Sequence, residues 1–250
     1  MLAIPSDSKI SEIIFYGKLD DLQMYSIEQL KDHRSSSVFY VLNRAFKEMS
    51  PLLIAILAHR LDIIQYLLEN KYPVNSYVGG TYALHVACFL NYPDVVDLLL
   101  FYGASPILVD DRNLDPLSIA VTYEYIDIIE SLLYTGYDPK YLALPLFIAI
   151  TNNNIDIVGT LVLHGADANI ECSITKKKPI DIIKSSQVEI TNIIQNVKPL
   201  PKADLSKKAR LDFITPSCQA LNSLVEDISY SFKPKDITLH QIVIRSKDSN

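Results

Sequence analysis

The chain holds few of the residue sets from which an active site is built. Its histidines are His33, His59, His85, His164 and His240, and none stands at metal-ligand spacing from a cysteine or another histidine. Cys88, Cys172 and Cys218 are odd in number, widely spaced and without a CxxC pair, so neither a disulfide framework nor a zinc site is expected. No serine, cysteine or threonine occupies a nucleophile elbow, and no acid pair stands apart from an acidic background. Phosphate-cradling loops need glycine for backbone positions with positive φ, and glycine occurs only 7 times in 250 residues, scattered. We therefore expect no catalysis, no metal, no cofactor and no small-molecule substrate.

Charge removes another class of function. Residues 1–171 carry 10 Lys/Arg against 21 Asp/Glu, whereas residues 172–250 carry 13 against 8, an acidic body followed by a basic tail. Within residues 82–171, 12 acids face only Arg112 and Lys140, so nucleic-acid phosphate would be repelled. At 49% hydrophobic and 21% charged the chain can bury a core. MLAIPSDSKI lacks the basic start and apolar centre of a secretory signal, and the longest apolar run, YLALPLFIAI, is about half a membrane span. The expectation is a soluble protein with no membrane span, in the reducing cytoplasm, with the nucleus as the alternative.

The elements that must position any binding residue come from an internal repeat. SPLLIA from Ser50, YALHVA from Tyr82, DPLSIA from Asp115, LPLFIA from Leu144 and KPIDII from Lys178 align, with spacings of 32, 33, 29 and 34 residues. In the first four units a second apolar segment follows at helical spacing, DIIQYLL, DVVDLLL, DIIESLL and DIVGTLV, each opened by an aspartate suited to the electropositive start of a helix. Gly103, Gly136 and Gly165 then stand where a helix needs a left-handed stop; Lys71 holds that place in the first unit. Each unit thus reads helix, turn, helix, stop and extended excursion. Pro51, Pro116, Pro145 and Pro179 fall in the first turn of the inner helix, where a missing amide proton costs nothing. A lone unit cannot bury its apolar face, so stability must come from stacking.

This pattern resembles the ankyrin repeat, whose TPLHxA signature is nearest at Ala83–Ala87 and whose GADVN element is nearest at Gly165–Asn169. The resemblance covers about residues 50–197 and implies an all-α ankyrin-repeat solenoid of helix-turn-helix-hairpin units. Residues 1–49 read as a degenerate N-terminal unit, with helices on either side of Gly17, and a linker. Residues 198–250 read as a basic linker followed by a short helix and strand. Two departures from the family are expected to reshape the units. His59, Asn91, Glu124 and Asn153 replace the glycine that usually ends the inner helix, and the finger between Gly136 and Pro145 is cut short.

The resemblance implies a non-enzymatic scaffold or adaptor that binds another protein or peptide on finger tips and inner-helix ends. The residues so marked are Leu57, Phe89, Leu90, Asp110, Asp111, Arg112, Tyr123 and Glu124. Phe89, Leu90 and Tyr123 would anchor a partner if exposed; the alternative is that Phe89 and Leu57 are extra core. Asp110, Asp111 and Glu124 would receive a basic side chain, or serve only as solvated turns. His85, at the signature histidine, has a structural role. Asn169, two residues after Asp167, resembles a substrate of asparaginyl hydroxylases or simply braces its hairpin.

The tail suggests a second function. After KPLPKADLSKKAR, Thr215 and Pro216 introduce a stripe of Cys218, Leu221, Leu224, Val225 and Ile228, and a strand-like ITLHQIVI follows. SLVEDISYSF is similar to the box by which ankyrin-type substrate receptors dock on elongin and cullin ubiquitin ligases, with Ile228 in place of the cysteine. A helix that caps the repeats is the alternative.

Overall fold

A computed structural model describes residues 7–35, 38–41, 44–46, 48–199 and 243–245. The expected linker, which starts at Lys198, lies outside the described residues from Leu200 onward, as do the Thr215–Ile228 stripe and the ubiquitin-ligase box. The fold is all-α in character, with twelve α-helices in the described residues: α1 Asp7–Tyr16, α2 Leu19–Leu22, α3 Ile27–Asp32, α4 Pro51–Leu57, α5 Leu61–Glu69, α6 Ala83–Phe89, α7 Pro93–Phe101, α8 Pro116–Thr122, α9 Ile126–Leu133, α10 Ala143–Thr151, α11 Ile155–Leu163 and α12 Val188–Asn196. The chain divides into two compact units, Met1–Ala87 with Leu98–Ala104 and Thr215–Asn250, and Cys88–Asp97 with Ser105–Ile214.

In the first unit α1 packs on α4, and α4 on α5. Every residue of α4 is buried, because PLLIAIL is apolar all round, whereas α5 buries only the stripe Ile63, Ile64, Leu67 and Leu68. The helix expected after Gly17 is two short ones. Ser26 breaks it by capping α3, accepting from the Gln29 amide while Gln29 reaches back to the Ser26 amide. The stretch expected to be linker contains strands β1 Val38–Val41 and β2 Arg44–Phe46, which pair antiparallel, Phe39 opposite Phe46. Strand β3, Val243–Arg245, pairs with the other edge of β1, giving the order β2-β1-β3. β3 overlaps the end of the strand-like ITLHQIVI. The sheet lies outside the repeating period.

The second unit stacks α8 on α9 and α10, α10 on α11, and α11 on α12. Ala120 and Ala149 are fully buried where the inner helices approach, and Ile128, Ile129, Ile157 and Val158 close the core behind them. Asp115 caps α8 by accepting from the Ser118 amide, and Asn154 caps α11 by accepting from Ile157. The shortened finger is a 3-10 turn, Pro139–Tyr141, capped by Asp138. The saved residues extend α10, which starts two residues ahead of Pro145. The last unit departs further: Pro179 opens a four-residue 3-10 helix, Pro179–Ile182, instead of an inner α-helix.

The replaced glycines behave as backbone geometry demands. His59, Asn91, Glu124 and Asn153 have φ of 50°, 57°, 59° and 57°, and Lys71 has 62°. The reason is a recurring helix stop. The amide of Arg60 bonds to the Ala55 carbonyl, that of Tyr125 to Ala120 and that of Asn154 to Ala149, which closes the helix only if the intervening residue is left-handed. Gly103, Gly136 and Gly165 likewise have positive φ, whereas Gly17 ends α1 without it.

Candidate functional site

The structure separates the residues marked in the sequence into a buried group and an exposed group. Leu57, Phe89 and Leu90, read as exposed anchors, are 1%, 2% and 1% exposed, so they belong to the core and cannot contact a partner directly. Repeat position did not decide this. Leu57, Phe89, Thr122 and Thr151 occupy the same place in successive units, yet the apolar two are buried and the threonines are exposed. Each threonine hydroxyl donates to the carbonyl one turn back, Ser118 and Phe147 respectively.

Asp110 is also corrected. Its side chain is fully buried and accepts from the Arg112 guanidinium at 2.8 and 3.0 Å and from the amides of Arg112 and Leu114. Burial works to raise its carboxyl, but these donors together hold it below the usual carboxylate range. Asp110 therefore closes its own finger, helped by left-handed Asn113, and its carboxylate is already engaged. Asp111 and Arg112 remain exposed at the tip, beside the exposed Ile107 and Val109.

What remains at the inner-helix ends gathers in the turn between α8 and α9. Tyr123 is 41% exposed, Glu124 and Asp127 are exposed, and Tyr125 is half-buried. The Tyr123 and Tyr125 rings lie 5.6 Å apart and nearly parallel, at 16°, and the edge-on ring of buried Phe89 meets Tyr123 at 5.6 Å and 83°. Phe89 thus orients the exposed ring although it cannot itself touch a partner. Burial, then the neighbouring Tyr123 phenol, push the Tyr125 hydroxyl up. Sequence reasoning named Tyr123 and Glu124 but missed Tyr125 and Asp127; two tyrosines flanking an acid in TYEYID were the available signal.

Buried ionisable groups elsewhere are structural. His85 is buried and lies beside the Tyr82 ring at 5.4 Å. Burial, with the nearby Asp115 charge, pushes the Cys88 thiol far above its ordinary value, which leaves it without nucleophilic thiolate. Burial also raises Asp115 to about 6 against its helix-capping bonds. Asn169 is exposed and its amide braces Asp167 at 3.0 Å. Among the described residues no cluster of His, Cys, Asp and Glu could hold a metal ion, and no helix is long and apolar enough to cross a membrane.

With helical hairpins, fingers and left-handed stops in place, comparison with known proteins settles their kind. A family model for ankyrin repeats, in three copies, matches residues 23–110, and a single ankyrin repeat matches residues 142–173. The chain belongs to the ankyrin-repeat family. The first match begins well inside the region read as a degenerate unit and linker. Among ankyrin-repeat relatives, Ankyrin repeat and SOCS box protein 16 of Mus musculus is 28% identical over 130 residues, 47% of this chain and 29% of that protein. Its Homo sapiens counterpart is 27% identical over 142 residues, 52% and 31%. An ankyrin repeat protein of Fowlpox virus (strain NVSL) is 36% identical over 88 residues, 34% and 26%. The chain thus spans under a third of the length of each of these relatives. Ankyrin repeats are protein-protein interaction modules, and that coarse function extends to this ankyrin-repeat chain.

Proposed function

We propose that the chain is a non-enzymatic scaffold or adaptor that holds a basic segment of another protein on the inner-helix turn at Tyr123 and Glu124 and on the finger tip at Asp111. The observation that carries this reading is the exposed aromatic-acidic turn within a stretch whose acids far outnumber its cations. The two cations of residues 82–171 are already engaged, Arg112 with Asp110 and Lys140 with Asp138. The excess of acids over cations attracts a basic partner and the aromatic ring supplies contact area. Buried Phe89 supports the Tyr123 ring from beneath. Affinity purification of wild type against Tyr123→Ala combined with Asp111→Ala tests it. The variant should lose a partner whose capture by wild type weakens with salt; identical partner sets remove this surface as the binding face.

A second reading is a substrate receptor of a cullin-type ubiquitin ligase. It draws on the SOCS-box proteins among the relatives and on SLVEDISYSF in the tail. Elongin or cullin that co-purifies with the full chain and is lost on deletion of residues 215–232 would support it; absence of both from wild-type purifications would exclude it.

A further inference from the structure

The α8–α9 turn has a chemistry that selects among basic partners. Its two tyrosine rings are held parallel, one of them 41% exposed, on either side of left-handed Glu124. Phe89, buried beneath, fixes the Tyr123 ring edge to face. Ile126 adds an exposed apolar side chain, and Asp127 a second exposed carboxylate. Among the described residues neither Glu124 nor Asp127 forms an ion pair. Other units lack the set. The equivalent turn of the first unit has Arg60 paired with Asp62, and that of the fourth is Asn152–Asn154, without a ring.

Resting on the reading of a basic protein partner, we propose that this turn is a receptor for an arginine side chain. The guanidinium lies flat against the exposed part of the paired tyrosine rings and its N–H groups reach the Glu124 carboxylate. Arginine fits where lysine does not, because a planar guanidinium stacks on an aromatic face while keeping its donors free at the edge, whereas an ammonium is compact and strongly hydrated. The carboxylates add charge-assisted hydrogen bonds and exclude anionic partners. Pre-orientation of the rings by Phe89 removes part of the ordering cost that an isolated exposed tyrosine would carry.

The test uses the full chain and short glycine-serine peptides that differ only in carrying arginine, lysine or citrulline, with binding followed by NMR shift perturbation. The arginine peptide should bind about three- to ten-fold more tightly than the lysine peptide, and citrulline should abolish binding. Shifts should centre on Tyr123, Glu124 and Tyr125. Tyr123→Phe should retain the preference; Tyr123→Leu and Glu124→Gln should each weaken arginine binding about three- to ten-fold, with unchanged denaturation midpoints confirming the fold. Equal affinity for arginine and lysine, or wild-type binding by folded Tyr123→Leu, overturns the arginine site while leaving a basic partner standing. Failure of every cationic peptide to bind removes the basic-partner reading itself, and the arginine site with it.

Discussion

The Arg60 guanidinium donates through Nη1 to the carbonyl oxygen of Gly17 at 3.0 Å, and the same atom reaches the Ile14 carbonyl at 3.2 Å. These are carbonyls at the end of α1 that have no later helical turn to pair with. Asp62 holds the other side of the guanidinium at 2.7 and 3.0 Å. In the second unit Gln187 serves the same purpose, donating to the Ile150 carbonyl near the end of α10 at 2.9 Å. A residue just ahead of an outer helix thus ties down the inner helix of the preceding repeat. Arg60→Ala should destabilise α1 by about 1.5–3 kcal/mol, since it leaves partly buried carbonyls without a charged donor. Amide exchange in α1 should rise in the variant while exchange in α10 stays unchanged.

Phe89 and Tyr123 are in contact but differ in burial, and their truncations should differ in kind. Phe89→Ala should cost about 3–5 kcal/mol of stability by opening a core cavity. Tyr123→Ala should cost less than about 1.5 kcal/mol, because the ring is exposed on one side. Urea denaturation of the two variants measures both.

Glu124 occupies a left-handed position where glycine carries no steric penalty. Glu124→Gly should raise stability by about 0.5–1 kcal/mol and at the same time weaken binding of a basic peptide. Thermal denaturation together with peptide titration checks both halves of the expectation.

Gly159 lies inside α11, and a Cβ built there meets nothing within 4 Å. Gly159→Ala should therefore add about 0.5–1 kcal/mol through helix propensity alone. A raised melting temperature with unchanged partner binding is the expected result.

Asp115 is a buried helix cap whose carboxyl is raised to about 6 by burial, against the lowering effect of its Ser118 and Leu117 bonds. A carboxyl that holds its proton more tightly in the folded than in the unfolded chain confers stability that is present below about pH 4 and lost as pH rises through about 6. Asp115→Asn keeps the cap without the charge. Relative to that variant, wild type should lose about 2–3 kcal/mol between pH 4 and pH 7. Urea midpoints across that range should show a falling difference; a flat difference excludes Asp115 as its source.

Repeat order, the helix pairs of the first four repeats and the shortened finger before α10 were legible in the sequence, whereas the split after Gly17 and the 3-10 helix at Pro179 were not. His59, Asn91, Glu124 and Asn153 keep the left-handed stop that loss of glycine was expected to reshape. Local rules account for the helices and their stops: apolar spacing sets the helices, and a helix stop needs positive φ whatever residue fills it. The pairing of β3 with β1 was not legible, because the two strands lie about two hundred residues apart and pairing at that distance leaves no local pattern; the local β1–β2 hairpin was read as linker.

By itself the sequence determined that the chain is built from ankyrin repeats, acidic in its body and without the residue spacings of an active site. Only the tertiary structure decided which marked residues face outward. Exposure depends on what neighbouring helices and loops bring against a side chain. Phe89 and Leu90 sank into the core, Asp110 closed its own finger, and Tyr123 with Glu124 stayed at the surface. The inner-helix turn of the third unit is the candidate binding surface for that reason, which repeat position alone could not supply.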